Sequence, residues 1–246
     1  MAVKRATSLQ QPVHAFSGFP RSGLQFLRDL KLNNDRDWFR ERKQIYQEQV
    51  ESPMALLVTQ AAPLIRKQGL AIGTKDKNPV MRVYRDIRFS PDKRPFKSHV
   101  GASLKGSHKH SKYGEIYIHI SPDESFLAAG FWMPERPFLQ AWRESMIKNP
   151  TAFLRIVKSL ANSKLKLSNE NSLTRLPRGY DSFAESELAP FLRLTSYVTT
   201  RPLTSKEYLS PQLVNLLCDF ALANKPLLEY GWSLNWTRQR DLLDER

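Results

Sequence analysis

Residues 82–99 read Arg82-Val83-Tyr84-Arg85-Asp86-Ile87-Arg88-Phe89-Ser90-Pro91-Asp92-Lys93-Arg94-Pro95-Phe96-Lys97-Ser98-His99, four arginines, two lysines and a histidine against two carboxylates. Val80–Phe89 alternates with a period of two, which predicts a strand. Met81, Val83, Ile87 and Phe89 point one way and Arg82, Tyr84, Asp86 and Arg88 the other, roughly 7 Å apart along the chain. Two guanidiniums flanking a carboxylate keep it ionised and retain donors to spare, and the planar fork of arginine matches phosphate or carboxylate bidentately. Lys93, Arg94, Lys97 and His99 would continue such a clamp from the following loop. The same residues also describe a solvated sheet face with cross-strand ion pairs, for instance to Glu115. Arg85 alone interrupts the apolar row, where an unpaired charge is costly. It either pairs with a buried carboxylate, the reading we favour, or opens onto a cleft.

His99 follows a cationic run that would depress its pKa, and a neutral imidazole near pH 7 can act as a general base. His119 lies beside Tyr117 and Glu115 on a second alternating segment. If that segment paired with Val80–Phe89, its histidine, tyrosine and glutamate would join the arginines in one pocket; a half-buried, hydrogen-bonded histidine is the simpler account. His108-Lys109-His110 has the spacing of a two-histidine metal ligand, but neighbouring cations and the lack of a thiol or carboxylate oppose a metal, so no cofactor is expected. Cys218, the single cysteine, sits in the apolar run Leu216–Phe220 and reads as a small core residue.

The formal net charge is +14, and its distribution says more than its total. Residues 1–80 carry 13 Lys/Arg against 7 Asp/Glu, residues 81–112 carry 9 against 2, and residues 113–246 carry 16 against 15. The excess is densest around the 82–99 segment. Such a field attracts a phosphorylated or carboxylated small molecule, nucleic acid or an acidic protein, or else serves solubility alone. No apolar run approaches the ~18 residues of a membrane span. The polar N-terminus lacks the apolar core of a signal peptide, so the expected compartment is the cytoplasm.

The elements that must position these residues are mainly helical. The pattern predicts helices over Pro20–Leu32, from Arg36 after the Asn33-Asn34-Asp35 turn, and from Pro53 to Lys67, with Gly69 as a stop. Glu115–Ile120 and Ser125–Met133 predict a hairpin. Residues 101–114, rich in Gly, Ser, Lys and His, predict a mobile loop. Further helices are expected after Pro137, over Thr151–Ala161, Ser182–Leu192, Ser210–Ala223 and Pro226–Trp236. Short strands are expected at Lys164–Leu167, Leu173–Leu176 and Ser196–Arg201. Helices around a hairpin-built sheet give an α+β fold with a mixed, mainly antiparallel sheet. The chain divides into a leader (1–15), a single domain (16–236) and a charged tail (237–246).

The 82–99 segment resembles the signature of the domain-of-unknown-function family 2461. Other pieces are similar in the same order: Asn34-Asp35-Arg36-Asp37-Trp38-Phe39, Tyr117-Ile118-His119-Ile120, Gly130-Phe131-Trp132-Met133-Pro134 and Leu176-Pro177-Arg178-Gly179-Tyr180. The resemblance covers roughly Phe16–Leu234 and implies one domain of about this size, with no established activity to carry over. Two positions depart from the family pattern, Phe96 where tyrosine is common and Ser98 where threonine is. The first argues against hydroxyl chemistry at position 96.

These readings converge on an anion pocket of Arg82, Arg85, Arg88, Lys93, Arg94 and Lys97, with His99 as candidate base and Tyr84, Asp86, Glu115, Tyr117 and His119 in support. The reaction type stays open, since no phosphate-cradling glycine loop, nucleophile elbow or H-E-x-x-H is present. The runner-up is a nucleic-acid-binding module, although no named reader motif occurs. A third reading is a non-catalytic interaction domain for an acidic partner.

Overall fold

The computed structural model describes residues 15–73, 79–88, 90–107 and 113–236. Helix α1 (Arg21–Leu32) buries Leu24, Phe26, Leu27 and Leu30 at helical spacing. The Asp35 carboxylate caps α2 (Arg36–Glu41) by accepting from the Asp37 and Trp38 amides at 3.0 and 2.9 Å. The chain then runs through α3 (Lys43–Tyr46) and a π-helical turn (Gln47–Glu51) directly into α4 (Ser52–Lys67), so Pro53 continues a helix where the sequence predicted a restart. Gly69, in the left-handed region at φ +82°, ends α4 as expected.

Among the described residues five strands follow in the spatial order of the sequence: β1 (Ile72–Gly73), β2 (Val100–Gly106), β3 (Glu115–Ile120), β4 (Phe126–Phe131) and β5 (Tyr197–Pro202). Every pairing among them is antiparallel. Between β4 and β5 lie α5 (Arg136–Lys148), α6 (Pro150–Asn162) and the short α7 (Ala189–Leu192); after β5 come α8 (Ser205–Tyr208), α9 (Leu213–Ala223) and α10 (Lys225–Trp232). This is the α+β architecture the pattern predicted. Helices α4, α9 and α10 pack on one face of the sheet, where Ala102, Leu104, Ile116, Ile118, Leu127 and Ala129 are buried. Behind β4 and β5, Trp142 stacks on Tyr197 at 4.2 Å and meets Phe131 edge-on at 5.0 Å. No helix among the described residues is long and apolar enough to cross a membrane.

Other expectations are corrected. The 80–88 segment is not a strand of the sheet. It touches β2 through one bridge, Val80 to Ala102, then folds back as an irregular hairpin bridged at Tyr84–Phe96. Prolines at 79, 91 and 95 each remove a ladder donor, and a charge at Arg85 breaks the buried row. The second central strand is instead β2, within the stretch read as a loop. Its Val100, Ala102 and Leu104 are buried on one face, while Gly101, Ser103 and Lys105 take the other. The helix expected over Ser182–Leu192 shrinks to a 3-10 turn at Asp181–Phe183 and α7, divided ahead of Pro190. Of the two short strands expected before it, Leu167 makes a single bridge to Thr199, and Leu173–Leu176 is irregular.

Candidate functional site

The basic segment is held by the N-terminal helices. The Asn34 side chain grips the backbone of Phe96 at both ends, accepting from its amide and donating to its carbonyl, each at 3.0 Å. The buried Phe96 ring stacks on Phe39 at 4.2 Å and tilts against Tyr84 at 5.2 Å. Two backbone bonds complete the turn, Arg85 N–H to the Pro95 carbonyl (2.9 Å) and Lys97 N–H to the Val83 carbonyl (2.8 Å). Residues 95–99 are thereby fixed even though they form no regular element.

Asn34, Arg85, Asp86, Arg94, Phe96, Lys97, Ser98 and His99 line a cleft of about 360 Å³. Its cations are of two kinds. Arg85 and Arg94 share the Asp92 carboxylate, with Arg94 Nη2 at 2.6 Å. These guanidiniums hold the carboxyl far below the usual carboxylate range. Arg85 is thus paired, with a partner seven residues away in its own hairpin, but that carboxylate is part-exposed where a buried one was expected, and Arg85 also lines the cleft. Lys97 has no ion-pair partner among the described residues; Arg82, exposed and outside the cleft lining, has none either. Burial, and then the charge of Arg82, lowers the Lys97 pKa.

His99 closes the cleft. Its ring lies against His119 of β3 at 4.3 Å, and the opposite side of His119 stacks on Phe126 of β4 at 4.7 Å. The Tyr117 hydroxyl is 3.2 Å from His119 Nδ1, so with its proton on Nε2 the imidazole accepts from the phenol. The Tyr117 ring reaches that position across Gly101, where a Cβ would stand 2.7 Å from its oxygen. Burial pushes both histidines down to about 4, with His119, Lys97 and Arg85 adding to the effect at His99. Both are therefore neutral proton acceptors at pH 7.

Of the residues singled out from the sequence, Arg85, Asp86, Arg94, Lys97 and His99 meet in the cleft. His119 and Tyr117 adjoin it through the ring contacts, though by way of β2 and not by pairing with 80–88. The others lie elsewhere. Arg88 is chelated by Asp86, its Nη2 at 2.7 Å and Nε at 3.0 Å from the two carboxylate oxygens. The Lys93 ammonium donates to the Ile87 carbonyl at 3.0 Å. Glu115 accepts from Ser103 and lies 3.9 Å from Lys105, away from the arginines it was expected to meet. Tyr84 is exposed apart from its contact with Phe96 and Phe39. The sequence reading missed Asn34 as a cleft residue. The Asn-Asn-Asp run marked a turn, and nothing local shows that its middle side chain clamps a segment 62 residues away. Cys218 is buried, with burial and Asp219 raising its thiol pKa, as a core residue requires. His108–His110 lies outside the described residues, among which no three potential metal-ligating side chains come together.

A family model described as "Conserved hypothetical protein (DUF2461)" matches residues 22–230. No curated protein matches the chain, and no solved structure does.

Proposed function

The chain belongs to the conserved hypothetical protein family DUF2461, and we propose that it binds a compact phosphorylated or carboxylated molecule in the Arg85–Arg94–Lys97 cleft. The observation that carries this reading is Lys97. A half-buried ammonium with no carboxylate partner among the described residues, next to Ser98 in a concave site bordered by two guanidiniums, is an incomplete ion pair. An anion would complete it. His99, neutral and at the cleft wall, is placed to take a proton from such a ligand. Arg85, Arg88 and Arg94 are engaged by Asp92 and Asp86, which favours a local pocket over the broad free cationic surface of a nucleic-acid module.

Inorganic pyrophosphate is the direct probe. Thermal denaturation with increasing pyrophosphate should raise the Tm of the native chain, by about 2.7 kcal/mol of stabilisation at a hundredfold excess over Kd. Lys97→Ala should weaken binding about tenfold or more, as expected for a charge-assisted contact. Lys67→Ala, at the end of α4 and outside the cleft lining, should not. Absence of any shift with pyrophosphate, phosphate and citrate would sink the proposal.

A further inference from the structure

The uncovered face of the sheet carries a second cavity of about 530 Å³ with a different lining. Its floor is made of small residues brought into line by the strand register. Ala128 sits between Tyr117 and Thr200, and Gly130 between Glu115 and Val198. Tyr117, Phe126 and Trp132 supply aromatic walls. The Trp132 side chain is 54% exposed. It precedes Met133, whose φ of +40° is unusual for a residue with a side chain. The Met133 amide is pinned to the Ser196 hydroxyl at 2.9 Å. An indole held out of the core beside a strained, tethered turn is positioned for contact with something other than the core.

The rim of this cavity is acidic in a chain of net charge +14. Glu115, Glu124 and Glu170 line it, and among the described residues Glu124 and Glu170 have no ion-pair partner. Aromatic walls with unpaired carboxylates fit a flat ring that carries N–H donors. The two linings have no residue in common, but a stack of three rings runs from one to the other through His119. His119 has the His99 ring of the basic cleft on one side and the Phe126 ring of the sheet cavity on the other, at 4.3 and 4.7 Å. From Phe126 to Gly130 the cavity runs four residues along β4, roughly 13 Å.

We propose that the two cavities are halves of one site and that its ligand is a nucleoside phosphate. The phosphate occupies the Lys97–Ser98 end, and the base lies over the Ala128–Gly130 floor against Tyr117 and Trp132. Its exocyclic amine donates to Glu170 or Glu124. This inference rests on the anion-binding reading above and adds what the other end of the anion must be. An anion alone leaves the aromatic walls and carboxylates without a role. A flat amine alone leaves Lys97 unpaired.

Calorimetric titration of the full chain with pyrophosphate, adenosine, ADP, GDP, CDP and UDP separates the two readings. ADP, GDP and CDP, whose bases carry an exocyclic amine, should bind about tenfold or more tightly than pyrophosphate, and UDP should gain less. Trp132→Ala, a truncation at the surface, and the isosteric Glu170→Gln should each bring ADP down towards the pyrophosphate level. Pyrophosphate binding with no gain for any nucleotide would overturn this inference and leave the anion site standing. Loss of pyrophosphate binding with adenosine still bound would overturn the anion site, and the joined site with it. A single-stranded oligonucleotide binding more tightly than ADP would replace the compact ligand with a nucleic-acid surface.

Discussion

His99 and His119 are where the candidate site should titrate. Both are held neutral with pKa values pushed down to about 4 from an ordinary 6.5. Between those values the unfolded chain binds protons that the folded chain refuses, so stability is complete above pH 6.5 and falls as the pH drops towards 4. Each ring adds a slope of at most about 1.4 kcal/mol per pH unit in that window, less because both keep some contact with water. Asp86 and Asp92, whose pKa values are depressed by Arg88 and by Arg94 and Arg85, contribute only at lower pH. Urea unfolding of the native chain at pH 7, 5.5 and 4.5 should show this decline, and the His99→Gln, His119→Gln double variant should flatten it. A native profile level down to pH 4.5 would contradict the neutral pair. Ligand binding should act in the opposite direction at His99, since an anion beside the ring favours its protonated form. Pyrophosphate binding near pH 5 should therefore take up a proton, seen as a dependence of the calorimetric enthalpy on buffer ionisation heat, and His99→Gln should abolish it.

At the scale of elements, the site depends on how an irregular segment is tied to regular ones. Asn34→Ala removes both hydrogen bonds to Phe96 and leaves a half-buried amide and carbonyl without partners. That should cost about 1–3 kcal/mol. Because the bonds hold residues 95–99, the Phe96 amide should exchange faster than amides in β3, and pyrophosphate should bind more weakly. Equal exchange protection in the variant would show that the aromatic stack alone holds the turn. Gly101→Ala tests the other support, because its Cβ would meet the Tyr117 hydroxyl at 2.7 Å. The ring must move off His119, and the His119 pKa should shift, as followed by NMR titration. The sequence made some of this legible and hid the rest for a physical reason. The Glu115–Ile120 and Ser125–Met133 hairpin was readable because one face of each strand is apolar throughout. β2 was not, since its open face needs Gly101 and Ser103 to make room for Tyr117, and small residues resemble a loop. The 80–88 segment misled in the other direction. Its alternation buries Val83 without a continuous sheet neighbour, and its pairing partner is its own 95–97 arm. Clustering of basic residues located the cleft. Which of them remain available depended on Asp86 and Asp92 seizing Arg88, Arg85 and Arg94, a matter of side-chain geometry that spacing does not encode.

Taken as one molecule, the chain uses the two faces of its sheet unequally. One face is sealed by α4, α9 and α10, while the other carries the Tyr117–Trp132 cavity, with the basic cleft beside it where His99 meets His119, so the covered side must supply the rigidity that the open side lacks. Two glycines mark how tightly the covered side and its β4–β5 margin are built. A Cβ on Gly130 (φ +131°) would lie 2.0 Å from the Tyr197 carbonyl oxygen, and one on Gly231 would lie 2.2 Å from the Phe131 ring and 2.5 Å from Trp142. Neither backbone nor buried rings can yield cheaply, so Gly130→Ala and Gly231→Ala should each cost more than about 3 kcal/mol. Gly179, at φ +89° with nothing within 4 Å of where a methyl group would stand, provides the comparison. Gly179→Ala meets only backbone strain and should cost about 1–2 kcal/mol. Chemical denaturation followed by tryptophan fluorescence and by the His99 and His119 ring signals would rank the three. If the fold is one cooperative unit, both probes should shift together in Gly130→Ala and Gly231→Ala. Pyrophosphate affinity should then fall only by the unfolded fraction, whereas Asn34→Ala weakens binding while the tryptophan transition stays cooperative. Ring signals lost well before the tryptophan transition in the glycine variants would instead make the open face a separately melting layer, and its two cavities a site that can come apart while the core holds.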